Sequence, residues 1–234
     1  MSDYGRRELL RGGFLGLAAG GATGLVLRAD AKPTPASGDL ADYKRFLDED
    51  GNPRIAPTGK FAPTVYNTPG PFYRGGAPFR GKVTAPLEPG PVLLIRGRVW
   101  GHDTRRPLAG CRMDIWQADI QGHYDNDDPA SPPAKGVFKN RIRLVADETG
   151  AYEYETVHPG AYQIGRNTWR PPHIHYLVQH PGYRRLTTQL YFRGDPHQKQ
   201  DTIIRPSLII DLEQVKVGDK SYRKGVFDVV LAQA

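Results

Sequence analysis

Two histidines, His173 and His175, stand two positions apart within W-R-P-P-H-I-H-Y-L-V, which spans residues 169–178. In an extended strand, side chains at positions i and i+2 project from the same face, so both imidazoles are expected to point to one side. Pro171 and Pro172 prevent a helix from running into the pair, which favours the strand. Two imidazoles on one rigid face form half of a metal site, although an H-x-H pair also occurs in half-exposed strands that bind no metal.

Other residues suited to metal chemistry accompany this pair. Tyr124 ends the sequence I-W-Q-A-D-I-Q-G-H-Y, Tyr162 ends P-G-A-Y, and Arg170 precedes the two histidines. Residues 188–196 read T-Q-L-Y-F-R-G-D-P, and an earlier segment reads G-P-F-Y. From Thr64 to Leu231, these segments and their order resemble the intradiol ring-cleavage dioxygenases. The short region before the β domain resembles the protocatechuate-type and other short-N-terminus members of that family more than the catechol-cleaving ones.

The resemblance implies a non-haem Fe(III) enzyme that uses O2 to cleave a catecholic ring between its two hydroxyls, giving a cis,cis-muconate-type diacid. It implies one iron per chain, with four protein ligands: Tyr124, Tyr162, His173 and His175. Phenolate oxygens suit a hard trivalent cation, and two phenolates with one hydroxide balance its charge while neutral imidazoles add none. The resemblance also assigns catalytic roles. Tyr162 leaves the metal and helps accept a substrate proton, Arg170 stabilises charge on the ring, and Gln189 lines the pocket.

Two other functions are compatible with parts of the pattern. A non-catalytic carrier of small aromatics is the first, since transthyretin-like sandwiches bind such molecules, although four retained ligands and an arginine favour the enzyme. A two-histidine, one-carboxylate Fe(II) oxygenase is the second, but no acid stands between or beside His173 and His175. The identity of the ring stays open for two reasons. Gln163 and Ile164 follow Tyr162 where protocatechuate-cleaving relatives carry an aromatic, and the loop after the first tyrosine is short.

Short alternating segments separated by turns predict the fold. The chain has 27 glycines and 21 prolines, and it lacks long helical periodicity. We expect an all-β protein, a β-sandwich of the immunoglobulin or transthyretin kind, with about eight strands, long loops and little helix. The expected strands are 92–100, 111–116, 141–146, 151–157, 173–179, 186–192, 207–212 and 225–231.

The sequence gives three further expectations about burial. The strand 111–116 is expected to be half-buried, because apolar and polar residues alternate along it. Cys111 is the only cysteine, which rules out an internal disulfide and suits a small core residue. His123 and His158 are expected to be exposed loop histidines.

Residues 1–31 are expected to be a targeting segment. The pair Arg6-Arg7 precedes a weakly apolar, glycine-rich run, and A-D-A at 29–31 offers a cleavage site, which together outline a twin-arginine export signal. The run is too short and too rich in glycine to span a bilayer stably, so no membrane span is expected in the mature protein. The expected location is therefore the periplasm or beyond. Residues 32–63 are expected to form an extended Pro-rich segment, with one short helix at 39–48, and residues 64–234 the β domain.

The charge of the chain limits which classes of partner it is expected to bind. The formal net charge is +7, but the basic residues are scattered, which suggests mild attraction for anionic substrates and argues against nucleic-acid binding. The expected partners are a catecholic small molecule, O2 and the twin-arginine export machinery. A homo-oligomer is compatible with the sequence.

Overall fold

The computed structural model of the chain describes residues 61–234. The predicted export signal and the predicted helix at 39–48 lie outside the described residues. Within residues 61–234, no helix is long and apolar enough to cross a membrane.

The described chain is built from strands joined by turns and two short 3₁₀ helices, Pro196–Gln200 and Pro206–Leu208. The strands are β1 (Val92–Gly101), β2 (Arg112–Gln117), β3 (Arg141–Val145), β4 (Ala151–Val157), β5 (Tyr162–Gly165), β6 (Thr168–Arg170), β7 (His173–Gln179), β8 (Leu186–Phe192), β9 (Ile209–Ile210), β10 (Glu213–Val217), β11 (Lys220–Val226) and β12 (Val229–Leu231).

The strands form two five-stranded sheets and a separate hairpin. In the first sheet, β1 pairs antiparallel with β4 on one side and parallel with β11 and then β12 on the other, and β10 extends beyond β11. The second sheet has the order β3-β2-β7-β8-β9. Among the strands of residues 61–234, β5 and β6 pair only with each other. Apolar side chains from both sheets form one buried core, among them Leu93, Ile95, Met113, Ile174 and Val178. The all-β sandwich predicted from the sequence is confirmed.

The strand β7 divides its residues between two faces, as its period of two requires. Ile174 and Tyr176 enter the core between the sheets. His173 and His175 project from the opposite face and are nevertheless buried. A second apolar cluster covers that outer face, formed by Trp116, Ala118, Tyr124 and Leu177 with Phe72 and Tyr162 packed against it. The candidate site therefore lies outside the main core, beneath loops and the hairpin β5–β6.

The structure differs from the strand predictions in four places. The predicted strand 225–231 is divided, because residues 225 and 226 end β11 and β12 covers Val229–Leu231. Residues 61–234 form twelve strands, because the hairpins β5–β6 and β10–β11 add to the predicted set. The predicted strand 207–212 is a 3₁₀ helix followed by the two residues of β9. The half-buried prediction for 111–116 is wrong, since Asp114 and Trp116 are buried too. Tyr73 covers that face: its hydroxyl donates to Asp114 Oδ2 at 2.8 Å, and its ring lies 4.9 Å from that of Trp116. Cys111 is a free, fully buried core residue, as predicted.

Candidate metal centre

Three donor atoms converge on the outer face of the second sheet. The Nε2 atoms of His173 and His175 lie 3.1 Å apart. The hydroxyl oxygen of Tyr124 lies 3.1 Å from Nε2 of His175 and 3.4 Å from Nε2 of His173. The spacing of two along β7 brings the imidazoles together, as the sequence predicted. A cluster of three donor atoms at these distances is the geometry expected around one small cation.

Neighbouring groups fix both imidazoles. Nδ1 of His173 lies 2.7 Å from the carbonyl oxygen of Pro171, so Nδ1 carries the proton and Nε2 turns a lone pair into the site. The ring of His175 lies flat against Trp116, with centroids 4.7 Å apart and planes 2° apart. Its Nδ1 is buried beside the Thr68 backbone without a hydrogen bond of normal geometry. A backbone carbonyl therefore sets the ring orientation of His173, and packing against Trp116 sets that of His175.

The two tyrosines approach from separate loops. Tyr124 follows β2, and its ring stacks on Phe72 at 4.4 Å. Tyr162 begins β5, with its ring edge-on to Tyr124 at 5.7 Å and its centroid 5.7 Å from that of His173. Tyr124 and the two histidines are at most 4% exposed, whereas Tyr162 is only half-buried. The structure thus brings together all four residues named from the sequence, and their roles as ligands stay a prediction.

The electrostatics of the site favour neutral imidazoles. Burial lowers the pKa of His173 to about 3, and the nearby Arg170 acts in the same direction. Burial, together with charge on His173 and Arg170, holds the pKa of His175 well below its usual value. Burial raises the pKa of Tyr124 well above its usual value, with charge on Tyr162 adding to the shift. Burial also raises the pKa of Tyr162, while Arg170 opposes it. A bound trivalent cation would favour the phenolate form of both tyrosines, because its charge would attract a phenolate more strongly than burial opposes one.

Arg170 ends β6 and lies buried beside the four residues. Its Nη2 donates to Gln189 Oε1 at 2.6 Å and to the hydroxyl of Tyr191 at 3.0 Å. Its Nε donates to Asp201 Oδ2 at 2.8 Å. Gln189 in turn donates from Nε2 to the carbonyl oxygen of Thr68 at 2.7 Å. Arg170 and Gln189, predicted to share a pocket, are therefore in direct contact.

Sequence reasoning missed several residues that shape the site. Tyr191 was inside the T-Q-L-Y-F motif, and Phe72 was inside G-P-F-Y, so both could have been found there. Asp201 lies 31 residues from Arg170 and carries no local signal. Among the other histidines, His123 is exposed, as predicted. The prediction for His158 is wrong, because its ring is half-buried, 4.5 Å from that of Phe192.

The donor set fits a hard trivalent cation. It offers two neutral imidazole nitrogens and two phenol oxygens, and phenolates are strong donors to such an ion. The lone pair on Nε2 of His173 faces Nε2 of His175, an arrangement that a shared proton or a cation stabilises. In the described part of the chain, no group of three His, Cys, Asp or Glu side chains is gathered. The two-histidine, one-carboxylate arrangement is therefore not formed by residues 61–234.

The fold and the site together define a β-sandwich enzyme with a centre of tyrosines and histidines. Comparison with known proteins makes the class specific, because the family model described as Dioxygenase matches residues 69–233. The chain is 36% identical over 192 residues to 6-chlorohydroxyquinol 1,2-dioxygenase of Cupriavidus pinatubonensis, covering 75% of this chain and 66% of that protein. It is 32% identical over 193 residues to catechol 1,2-dioxygenase 2 of Acinetobacter lwoffii, covering 75% and 68%. The chain thus spans about two thirds of the length of these relatives.

One solved structure is matched over the whole of its own length. It is the dioxygenase domain of a dioxygenase and carbohydrate-binding protein fusion from Streptomyces sp. SirexAA-E. The two are 33% identical with a TM-score of 0.61, and the match covers 74% of this chain and 100% of that one. The chain belongs to the intradiol ring-cleavage dioxygenases, oxidoreductases that open a catecholic ring between its two hydroxyls. None of these comparisons supports the non-catalytic carrier.

Proposed function

We propose that this chain binds one Fe(III) through Tyr124, Tyr162, His173 and His175 and cleaves a catechol with O2 to a cis,cis-muconate-type diacid. The convergence of the Tyr124 oxygen and the two histidine nitrogens within 3.4 Å carries this proposal. Iron(III), when bound, supplies a Lewis-acidic centre that holds the catecholate and makes its ring reactive towards O2.

Tyr162 is suited to exchange with substrate. It is the least buried of the four residues and lies on the small hairpin β5–β6, which pairs with neither large sheet. Tyr124, His173 and His175 are held by stacking, by burial or by a backbone carbonyl. Tyr162 can therefore turn away as substrate binds, and its phenolate oxygen can take a proton from a substrate hydroxyl.

Arg170 and Gln189 are placed to act on the ring of the substrate. The guanidinium stays protonated at any physiological pH and is held next to Tyr162 in a dry environment, where its charge is weakly screened. It stabilises negative charge that develops on the ring carbons. Gln189 holds the Nη2 edge of Arg170 and is itself tied to the Thr68 backbone.

The range of rings accepted is the finer part of the proposal. The relatives named above are a 6-chlorohydroxyquinol 1,2-dioxygenase and a catechol 1,2-dioxygenase. The two residues after Tyr162 are Gln163 and Ile164, neither of which is aromatic, and the Ile164 side chain is 59% exposed. These two positions therefore place no aromatic ring against the substrate. We infer a preference for catechol or hydroxyquinol over protocatechuate. A panel of these three substrates, followed by O2 uptake, tests it, and a kcat/KM highest for protocatechuate would overturn it.

The decisive experiment combines metal analysis with product identification. The purified protein is expected to contain one iron per chain, to show a visible tyrosinate-to-iron band, and to convert catechol to a diacid containing both atoms of ¹⁸O2. Stoichiometric zinc without iron would refute the metal assignment. Catechol binding without O2 uptake by the iron-loaded protein would instead favour the carrier.

We also propose that the protein is exported by the twin-arginine route to the periplasm. The Arg6-Arg7 pair, the weakly apolar run after it and the A-D-A sequence at 29–31 support this proposal. The route carries folded proteins, which suits an enzyme that takes up its metal before export. Assembly into a homo-oligomer stays a prediction.

A further inference from the structure

The hairpin β5–β6 carries two functional residues on a small scaffold. Tyr162 and Arg170 are directly paired across its two strands. A two-stranded ribbon of this length is marginally stable by itself, and most of β5 is exposed. Its position must therefore come from contacts with the rest of the domain.

The segment that follows β8 supplies such contacts. The ring of Trp169 stacks on that of His197, with centroids 5.3 Å apart. One residue later, Arg170 Nε donates to Asp201 Oδ2 at 2.8 Å, and the two side chains are only 9% and 2% exposed. The other carboxylate oxygen, Oδ1, accepts from the backbone N–H of Ile203 at 2.9 Å. Asp201 is thus held at both oxygens, so it provides a fixed anchor for the guanidinium.

The anchor leaves one edge of Arg170 available. Nε is bonded to Asp201, and Nη2 is bonded to Gln189 and Tyr191. No residue from 61 to 234 forms a hydrogen bond with Nη1. A planar guanidinium that is fixed through Nε and Nη2 has its remaining nitrogen fixed as well. The hydrogen bond from Nε to Asp201 fixes the rotation of the guanidinium plane and leaves Nη1 unoccupied.

We propose that Asp201 is a positioning residue for ring cleavage, which orients Arg170 so that Nη1 faces the substrate. The inference rests on the proposed dioxygenase function and assigns Asp201 no contact with substrate or metal. An arginine side chain has several rotatable bonds, and a buried ion pair with a fixed carboxylate removes that freedom before substrate arrives. Misplacement of a catalytic group by about 1 Å costs on the order of 100-fold in rate.

Asp201→Asn tests the proposal, because it keeps the shape and one oxygen but removes the charge. We expect kcat to fall by about 10- to 100-fold. Iron content, the visible band and the affinity for catechol without O2 should stay at wild-type values, which a merely structural loss would not allow. Asp211→Asn is the matched control, since Asp211 pairs with Arg193 on the surface, where both side chains are more than half exposed. It should leave kcat unchanged.

A double-mutant cycle that combines Asp201→Asn with Arg170→Ala separates the positioning of Arg170 from other effects of Asp201. The rate of ring cleavage is measured in single turnovers with excess enzyme. If Asp201 acts through Arg170, Asp201→Asn has no further effect on the rate in the Arg170→Ala background. Equal losses in both backgrounds would overturn the proposal, as would loss of iron or of catechol binding.

Should Asp201→Asn not fold, Asp201→Glu keeps the charge but displaces it, and the same separation of kcat from binding is expected. A wild-type protein without ring cleavage refutes the proposed function, whereas an active Asp201→Asn refutes only this inference.

Discussion

Gly122 and Gly160 are in backbone contact, and this contact sets the separation of the two tyrosines. A Cβ atom built on Gly160 would lie 2.7 Å from the backbone nitrogen of Gly122, closer than real Cβ atoms come to other atoms. The backbone N–H of Gly160 also donates to the carbonyl oxygen of Asp119 at 2.7 Å. Tyr124 and Tyr162 each lie two residues beyond one of these glycines. The distance between the two phenol groups is therefore fixed by how closely the two turns pack.

Gly160→Ala is expected to separate the turns and weaken the metal site. The added methyl group meets backbone atoms that cannot rotate away, so the loop must shift, at a cost of about 1–3 kcal/mol of unfolding free energy. We expect a lower iron content and a shifted visible band. Gly165→Ala, five residues further along the chain in β5, is the control, because its Cβ would meet only Thr168, at 3.9 Å. Full iron content with an unchanged band in Gly160→Ala would show that the close packing is not needed.

Tyr124→Phe is expected to remove a permanent ligand. Tyr124 is buried and packed on Phe72, so no other group can take its place, and loss of its oxygen should release iron or bleach the visible band. The control is Tyr73→Phe, which removes the hydroxyl that donates to Asp114 but leaves the four donor residues intact. Metal analysis and absorption spectra of the two variants provide the comparison. Wild-type colour in Tyr124→Phe would exclude this tyrosine as a ligand.

Tyr162→Phe is expected to behave differently. Three donors remain, so some iron should be retained, and a catechol can still bind where the phenol was. Turnover should fall by about two to four orders of magnitude, because the variant lacks the oxygen that accepts the substrate proton. The measurement is a catechol titration without O2, followed by addition of O2. Turnover at the wild-type rate would mean that Tyr162 only anchors the turn.

Regular alternation made most of the strands predictable. β4, β7 and β8 begin and end where the sequence predicts, because each is a continuous segment bounded by turn residues. β10 and β11 were missed although Gly218-Asp219 is a recognisable two-residue turn, since β10 is almost fully exposed and lacks an apolar face. β5 and β6 are short and mostly exposed, so their pairing depends on contacts with the rest of the domain.

The site was predictable to the extent that its residues belong to motifs. His173 and His175 follow from the period of a strand, but Tyr124 and Tyr162 are single residues in loops and were found only through the family resemblance. Asp201 forms its ion pair across a gap of 31 residues, and no periodic pattern links such partners. Burial of the outer face of β2 also depends on a remote residue, Tyr73, which alternation within β2 does not show.

Export is tested by replacing the paired arginines with lysines. Arg6→Lys combined with Arg7→Lys keeps the charge but removes the recognition element, so the precursor should remain in the cytoplasm. Arg11→Lys changes an arginine outside the pair and is the control. Cell fractionation and the N-terminal sequence of the exported protein provide the measurement, and the mature chain is expected to begin near Lys32. Normal periplasmic accumulation of the double variant would refute the assignment.

His158 is expected to make the protein less stable as the pH falls. Burial, with a smaller effect of Arg223, lowers the pKa of His158 from 6.5 to about 4, while Pro159 and Asp195 oppose the shift. Between these two values the unfolded chain binds the proton and the folded chain does not, so acidification favours unfolding. The stability lost through His158 between about pH 7 and about pH 4 is at most about 3 kcal/mol.

His158→Gln isolates this contribution, because glutamine does not titrate. The substitution also removes the ring contact with Phe192, but that loss is the same at every pH and does not alter the slope. Chemical unfolding of the iron-loaded protein at a series of pH values should therefore show a shallower loss of stability in His158→Gln than in the wild type. The difference should arise between about pH 6.5 and about pH 4 and stay constant below that range. Parallel curves for the two proteins would show that His158 takes up its proton equally in the folded and unfolded states.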